Sequence, residues 1–494
     1  MLFEIVKEAD TIATIRLVGP LVHTDTVNPL NQLMRRLADR GIRGVALNCD
    51  KVQRVNASGL AGFADLLLRD HPVQVAVFSL TEKLINALNK RDMLYALPIF
   101  ETEDDVRNSP DFQRIQLGHT RAVLLCAGAG SRIAPLSQMV PKPMLDILGK
   151  PVLAHILDHL DRFGLRSVLL NPGHLAPKIH DYFQANPRGN QTLFFCNEGR
   201  QQGTEWHPQA LGSASTLQRM QRDHSAFDRD FFVLCGDALV DFDMTAAMQA
   251  HRATSADITI VAQHVPESET HKYGIIETAT GTRITGFQEK PSPGTATSNL
   301  ANTGIYIFKP AVLDLLPEKI GQDIASDLIP HVIAAGGAVH VHAPQFSWVD
   351  IGCGRDYFNA LEAVFAGKVE HLRPQGTEIR PGVWCDDSAW VSQRATIHGP
   401  CYFGPHAEVQ AGAYIEGPVS VGEGSIISGS SAVRHSILMP ETLVERSAII
   451  DGQITQADWS ISHALADGRA QKALPMPNVS AAKRVVTERI SLTA

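Results

Sequence analysis

The sequence predicts an α/β protein of several domains that closes with a parallel β-helix, and three observations carry that expectation. Short apolar runs alternate with segments of helical spacing over residues 1–112. The same alternation resumes near Arg121 and runs for about 130 residues, which implies a mostly parallel sheet covered on both faces. From Val391 to Val433 large apolar residues recur at steps of six, the period of a coil with three faces.

Composition narrows the class. With 494 residues, the chain is long enough for several cores, and 44% hydrophobic with 19% charged residues is ordinary for a soluble globular protein. A net charge of −8 gives no basic surface, so nucleic acid is not expected as a partner. No run is long enough to span a bilayer, and MLFEIVKEAD does not read as a signal peptide. The seven cysteines are scattered without a CxxC pair, which argues against a zinc ribbon or a disulfide framework. A reducing cytoplasm, with no membrane contact, is the expected location.

In residues 1–112, TIATIRLVG, GVALNCD and VQVAVFSL read as strands. NPLNQLMRRLADRG, SGLAGFADLLLRD and TEKLINALNKRDM read as amphipathic helices. No cluster of acids, His or Cys suggests chemistry here. The segments GVALNCDKV, VNASGLAGFADLL and LPIFETEDD resemble a STAS domain, the fold of anti-sigma-factor antagonists. In that family a Ser or Thr ahead of Gly-Leu is phosphorylated by a partner kinase. The resemblance therefore implies a phosphorylation position at Ser58 and a protein partner, kinase or regulator. A phosphate near a helix start would switch docking of such a partner. Read from the residues alone, Ser58 caps the helix. Asn48 and Asn56, standing where the family has Asp, favour that plainer role.

DFQRIQLGHT reads as a linker to a central domain over residues 119–368. That domain opens on RAVLLCAGAGSRIAPLSQMVPKPML. Ala122 to Cys126 is a buried strand by its apolar run. Gly128 and Gly130 let the backbone turn sharply and approach a ligand, and free amides beside Arg132 and Lys142 suit a polyphosphate. The dinucleotide fingerprint fails because Ile133 stands where a third Gly is needed, and the P-loop ending is absent.

This stretch resembles the signature of sugar-1-phosphate nucleotidyltransferases. Leu125-Cys126-Ala127-Gly128-Ala129-Gly130-Ser131-Arg132, Pro135-Leu136-Ser137 and Pro141-Lys142-Pro143-Met144 carry the likeness, and Cys126 replaces the usual small residue. The resemblance implies a Rossmann-like domain whose Leu125, Ala127, Gly128, Ala129, Gly130 and Ser131 hold the nucleotide. It implies Arg132 and Lys142 in catalysis. Further on, ALGSAST matches a nucleotide-lining segment at Leu211, Gly212, Ser213 and Ala214, after a long polar stretch, CNEGRQQGTEWHP. Asp237 ends the apolar run Phe231 to Cys235, a place suited either to a helix cap or to Mg²⁺ against a triphosphate. The family uses an Asp here as metal ligand and catalytic group, and the Asp of Trp348-Val349-Asp350-Ile351-Gly352 as the second metal carboxylate. The resemblance assigns sugar-phosphate contacts to Gly274, Glu289, Lys290, Asn302 and Thr303. His155 and His159, four apart, could share a metal but lack a third ligand, so a helix face is the expected reading.

In the hexapeptide region, residues 380–452, small residues precede the large ones by two positions, from Ala389 to Ser431. The likeness is to a left-handed β-helix, a fold that also carries acyltransferases. Nothing singles out His398 or His406 as a base, so packing or assembly, with a homo-oligomer, is expected. The tail, 453–494, is polar and Ala-rich and is expected to be partly disordered.

The implied reaction joins a nucleoside triphosphate to a sugar 1-phosphate and releases pyrophosphate. GTP with mannose 1-phosphate is the first expectation, from the pairing of catalytic domain and β-helix. UTP or dTTP with glucose 1-phosphate is the second. A regulatory nucleotide-sugar-binding protein without turnover, and an acyltransferase acting through the β-helix, are the other classes.

Overall fold

The computed structural model describes residues 1–9, 11–24, 28–69, 71–95, 97–279, 281–457, 459–463, 474–475 and 478–482. At the N-terminus, Ile12–Leu21, Gly44–Val55, Gln74–Phe78 and Ile99–Phe100 pair in parallel, with Leu2–Ala9 antiparallel at the edge. The edge strand gave no sequence signal because one of its long sides stays in water, so Leu2, Ile5 and Val6 remain exposed. Asn28–Asp39, Ala57–Leu68 and Glu82–Asn89 press Leu30, Met34, Leu60, Phe63, Leu84 and Leu88 into one core with Ile15, Val45 and Leu47.

Two expectations for this region change. The cap of Ala57–Leu68 is Asn56, whose side chain accepts from the Gly59 amide at 2.9 Å, and Ser58 stands exposed at the second helical position. An Asn accepts this bond as well as Ser does, which the sequence alone does not rank. The stretch expected as a linker forms the helix Pro110–Gln116. Its Phe112 is buried with Ile12, Ala46 and Phe78, and Thr11 Oγ1 donates to the Ile115 carbonyl at 2.8 Å.

The central sheet runs Thr192–Phe195, Ser167–Leu170, Arg121–Leu125, Phe231–Cys235, Leu300–Phe308, Ile258–His264 and Val339–His342. The first four strands are parallel; Leu300–Phe308 is antiparallel to both neighbours, so the sheet is mixed. Alternate residues serve opposite faces. Ala122, Leu124, Phe232 and Leu234 pack in one cluster, while Val123, Phe231 and Val233 pack in another. Both faces are therefore covered. His155 contacts the Ile147 carbonyl and His159 lies between Phe163 and Phe242, so this pair faces packing and not a shared metal.

Past Arg380 the chain climbs in three parallel ladders whose partners lie 18 residues on, as in Val383↔Cys401↔Val419, Trp390↔Glu408↔Ile426 and Thr396↔Tyr414↔Ala432. Phe403, Val409, Ile415, Val421, Ile427 and Val433 are all buried inside. The rungs continue past the last counted residue with an offset of 17, Val433↔Ile450 and Ile437↔Ile454. One residue fewer puts the six-residue count out of phase, which is why it stops at Val433.

The first part of the expected tail is built into the fold. Gln453–Gln456 and Trp459–Ser462 pair, Ile454 and Ile461 join the central core, and His463 stacks on Phe358 with ring centroids 3.8 Å apart. Three scattered apolar contacts of this kind leave no period to read. Residues 458, 464–473, 476–477 and 483–494 lie outside the described residues. No helix among the described residues is long and apolar enough to cross a membrane.

Candidate functional site

Parallel pairing places Leu125 beside Cys235, so the glycine loop and Gly236-Asp237 leave the sheet at the same end. Gly236 N–H donates to the Leu125 carbonyl at 2.8 Å and ties the two exits together. Gly130 sits at φ 61°, in the left-handed region, and opens the short turn Ser131–Ile133. A Cβ on Gly128 would meet nothing within 4 Å; its missing side chain leaves open space for a ligand. Gly128, Gly130, Arg132, Lys142, Asp237 and Gly352 line a cleft of about 250 Å³.

A second, antiparallel pairing completes this cleft. Ala238–Asp241 lies against Ser347–Asp350 with Ala238 opposite Asp350, which sets the Asp237 and Asp350 carboxylates side by side. Lys142, on a turn held between Pro141 and Pro143, puts its Nζ 2.5 Å from Asp237 and 3.8 Å from Asp350. Burial works against the charge on Lys142, but the two carboxylates outweigh it and hold its pKa above the ordinary lysine value. Burial raises the Asp350 carboxyl to about 6, with Lys142 opposing and Asp237 adding to the rise. Two crowded, partly desolvated carboxylates form an all-oxygen donor set, which suits a hard divalent cation.

Arg132 and Gly352 also border a larger cavity of about 580 Å³ with Tyr273, Lys290, Arg355 and Asp356. Lys290 follows the hairpin Gly274–Thr278 and Ile284–Glu289, and its Nζ pairs with Glu289 at 2.5 Å. Gly274 faces Glu289 in the register, where a Cβ would strike the Phe287 ring.

Three of the expected side-chain contacts have protein partners in this structure. Thr303 is buried with its hydroxyl donating to the Val261 carbonyl at 2.6 Å. Asn302 donates to Tyr306 Oη at 2.7 Å and accepts from the Gly304 amide. Ser213 Oγ donates to Asp323 at 2.7 Å and accepts from the Ile324 amide. In each case the local backbone direction, which no motif specifies, turns the side chain to a protein partner.

Other residues enter the site that the motifs did not mark. Asn171 Oδ1 accepts from the Cys126 amide at 2.7 Å, and Asn171 Nδ2 donates to Glu198 Oε1 at 2.7 Å. Glu198 Oε2 accepts from the Leu211 amide at 2.9 Å, and Thr216 also donates to Glu198. A glutamate in a polar stretch reads as surface, so only its burial reveals it. Arg355 and Asp356 stand a few residues past Gly352 and carried a weak signal by position. Among the described residues, Asp241, Glu370 and His371 also gather three donor atoms. Arg162 at 2.9 Å and His371 at 2.8 Å already satisfy Asp241.

Comparisons with known proteins agree on this region. Residues 121–366 match the nucleotidyl transferase family. A UTP--glucose-1-phosphate uridylyltransferase of Synechocystis is 34% identical over 363 residues, covering 70% of this chain and 94% of that protein. Mannose-1-phosphate guanylyltransferase 1 of Arabidopsis thaliana is 27% identical over 69% of this chain and 88% of its own length. A putative mannose-1-phosphate guanyltransferase of Sulfolobus acidocaldarius is 28% identical over 60% of this chain and 75% of its own length.

Proposed function

The chain belongs to the nucleotidyl transferase family, and we propose that it joins a nucleoside triphosphate to a sugar 1-phosphate with release of pyrophosphate. The meeting of Asp237, Asp350 and Lys142 at the mouth of the glycine loop carries this reading. A sugar phosphate is already ionised, so the reaction needs little proton transfer. An oxygen of the sugar phosphate attacks the α-phosphorus, the bond to the bridging oxygen of the β-phosphate breaks, and its electrons leave with pyrophosphate. The barrier is the approach of two anions and the charge gathering on the leaving group, so positioning and electrostatics dominate.

On this reading the amides of residues 126–131 and Arg132 hold the triphosphate, and Lys142 offsets charge on the departing pyrophosphate. Lys290 steers the sugar phosphate from the larger cavity. Asp237 and Asp350 would hold a divalent cation, Mg²⁺ by their donor chemistry, which when bound neutralises phosphate charge.

For the substrate pair, the domain combination does not discriminate. The alignments with the Synechocystis uridylyltransferase and the Arabidopsis guanylyltransferase run 363 and 345 residues, both longer than the matched catalytic region, so their extent does not separate the two kinds of relative. The higher identity favours UTP with glucose 1-phosphate; GTP with mannose 1-phosphate is the other pair to test. The assay is pyrophosphate release across four nucleoside triphosphates and a panel of sugar 1-phosphates, with and without Mg²⁺. No turnover with any pair would overturn the reading.

The flanking units are read as a STAS-like domain and a left-handed β-helix. The five-stranded sheet and the 18-residue offset of the ladders support these readings. Tyr402, Ile437 and Met439 pack into the central core, which supports a packing role for the C-terminal unit. Ser58, exposed at a helix start, is the position a partner kinase would reach.

A further inference from the structure

The long polar stretch after Phe195 plays no part in the proposed chemistry. It folds as a hairpin, Gly199–Gln202 against Glu205–Pro208, rooted on the buried Glu198. Trp206 Nε1–H donates to the Gly173 carbonyl at 2.6 Å. Gly199 has no room for a side chain because the Trp206 ring lies 2.5 Å from its Cβ position. Gly173 in turn lies so close to the glycine loop that a Cβ would stand 2.8 Å from the Ala127 carbonyl oxygen. The next residue, His174, donates its amide to the same Ala127 carbonyl at 3.2 Å. Segment 171–174 is therefore gripped on one side by the hairpin and presses with the other on the loop that leads into Gly128.

Glu198 supplies a second grip. It is 2% exposed and accepts from Asn171, Thr216 and the Leu211 amide. Its own amide donates to the Pro172 carbonyl at 2.7 Å, and Gln209 N–H donates to the Glu198 carbonyl at 2.9 Å. A buried carboxylate with this many donors has one low-energy arrangement. That arrangement sets the distance between two small-residue loops, 126–130 through Asn171 and 211–213 through Leu211.

We infer that Trp206 and Glu198 are positioning residues for the nucleoside triphosphate: they fix the glycine loop and the Leu211 loop relative to one another before the nucleotide arrives. The inference rests on the proposed nucleotidyl transfer. Neither side chain lines the 250 Å³ cleft or the 580 Å³ cavity that holds Lys290; both act through the glycine loop and the Leu211 loop, so their effect falls on the triphosphate and not on the sugar phosphate. Pre-set amides bind a phosphate without first losing loop freedom, and a looser loop shows as weaker binding of that substrate alone.

The test uses the full chain and the substrate pair found by the pyrophosphate assay. Trp206→Phe keeps the ring and deletes the N–H donor; Glu198→Gln keeps the shape and removes the charge. The expected result is a rise in KM for the nucleoside triphosphate of about fivefold for Trp206→Phe and about tenfold or more for Glu198→Gln. KM for the sugar 1-phosphate should stay within about twofold in both. Direct titration of the nucleotide without sugar phosphate should show the same weakening, which removes turnover from the measurement. An unchanged nucleotide KM in Trp206→Phe, or equal rises for both substrates, would overturn the inference. Should Glu198→Gln fail to fold, Trp206→Phe decides alone, since its indole is only half-buried. A parent protein without turnover on any pair would instead sink the proposed reaction, so the two failures are distinguishable.

Discussion

Lys142 stands between two carboxylates, its Nζ 2.5 Å from Asp237 and 3.8 Å from Asp350. One ammonium thus serves two acids that stand more than a hundred residues apart along the chain. This relationship defines where charge must be managed when phosphates enter.

Asp237→Asn removes one anionic oxygen donor while keeping the side chain's size. The expected outcome is a loss of kcat of several hundredfold, about 3–4 kcal/mol of barrier, in the Mg²⁺-dependent pyrophosphate assay. Near-full turnover would exclude the metal assignment.

Lys142→Met leaves Asp237 and Asp350 facing one another without their counter-charge. Both acids are partly exposed, 30% and 27% by side chain, so the expected destabilisation is moderate, about 1–3 kcal/mol. Millimolar Mg²⁺ should recover most of the lost thermal midpoint, and it should shift the parent less. A variant that melts identically with and without Mg²⁺ would contradict a cation site between these acids.

Gly212→Ala tests the second small-residue loop. Gly212 holds φ 87°, and a Cβ there would run into the backbone of Gln322, whose nitrogen lies 2.8 Å away. Left-handed strain and the clash together should cost about 2–4 kcal/mol, read as a lower urea midpoint.

His159 gives a pH prediction. Burial and the neighbouring Arg162 push its pKa down to about 3, with Asp241 acting in the other direction, and neither ring nitrogen has a hydrogen-bond partner. The unfolded chain takes up this proton near the ordinary histidine value, about 6.5, whereas the folded chain holds it off until about 3. Between those values the unfolded state binds more protons, so stability falls as pH falls, by up to about 1.4 kcal/mol per pH unit. His159→Leu should flatten that limb. Its thermal midpoint should exceed the parent's at pH 5, and the gap should narrow toward pH 8.

Much of this site was legible before any fold. Gly128, Gly130, Arg132, Lys142 and Asp237 stand in one motif or at a strand end, where local spacing and the strand-end rule suffice to place them together. The protein partners of Ser213, Asn302 and Thr303 were not legible. Their neighbours in sequence match a family pattern, yet each side chain answers to a partner more than twenty residues away or to the twist of its own strand. Glu198 shows the reverse failure. Surrounded by polar residues, it reads as solvated, and only the convergence of Asn171, Thr216 and the Leu211 amide makes its burial tolerable.

By itself, the sequence determined the local periods: strand–helix alternation, the six-residue step, and a glycine turn flanked by fixed cations. Each depends on residues close along the chain, where side-chain direction follows from backbone geometry alone. Tertiary structure alone decided that Asp350 comes to Asp237, because that meeting requires the pairing Ala238↔Asp350 across more than a hundred residues. It alone decided as well that the hairpin after Glu198 grips the glycine loop through Trp206 and Gly173. Contacts of this kind are set by which surfaces fit once the sheet has formed, and no local pattern encodes them.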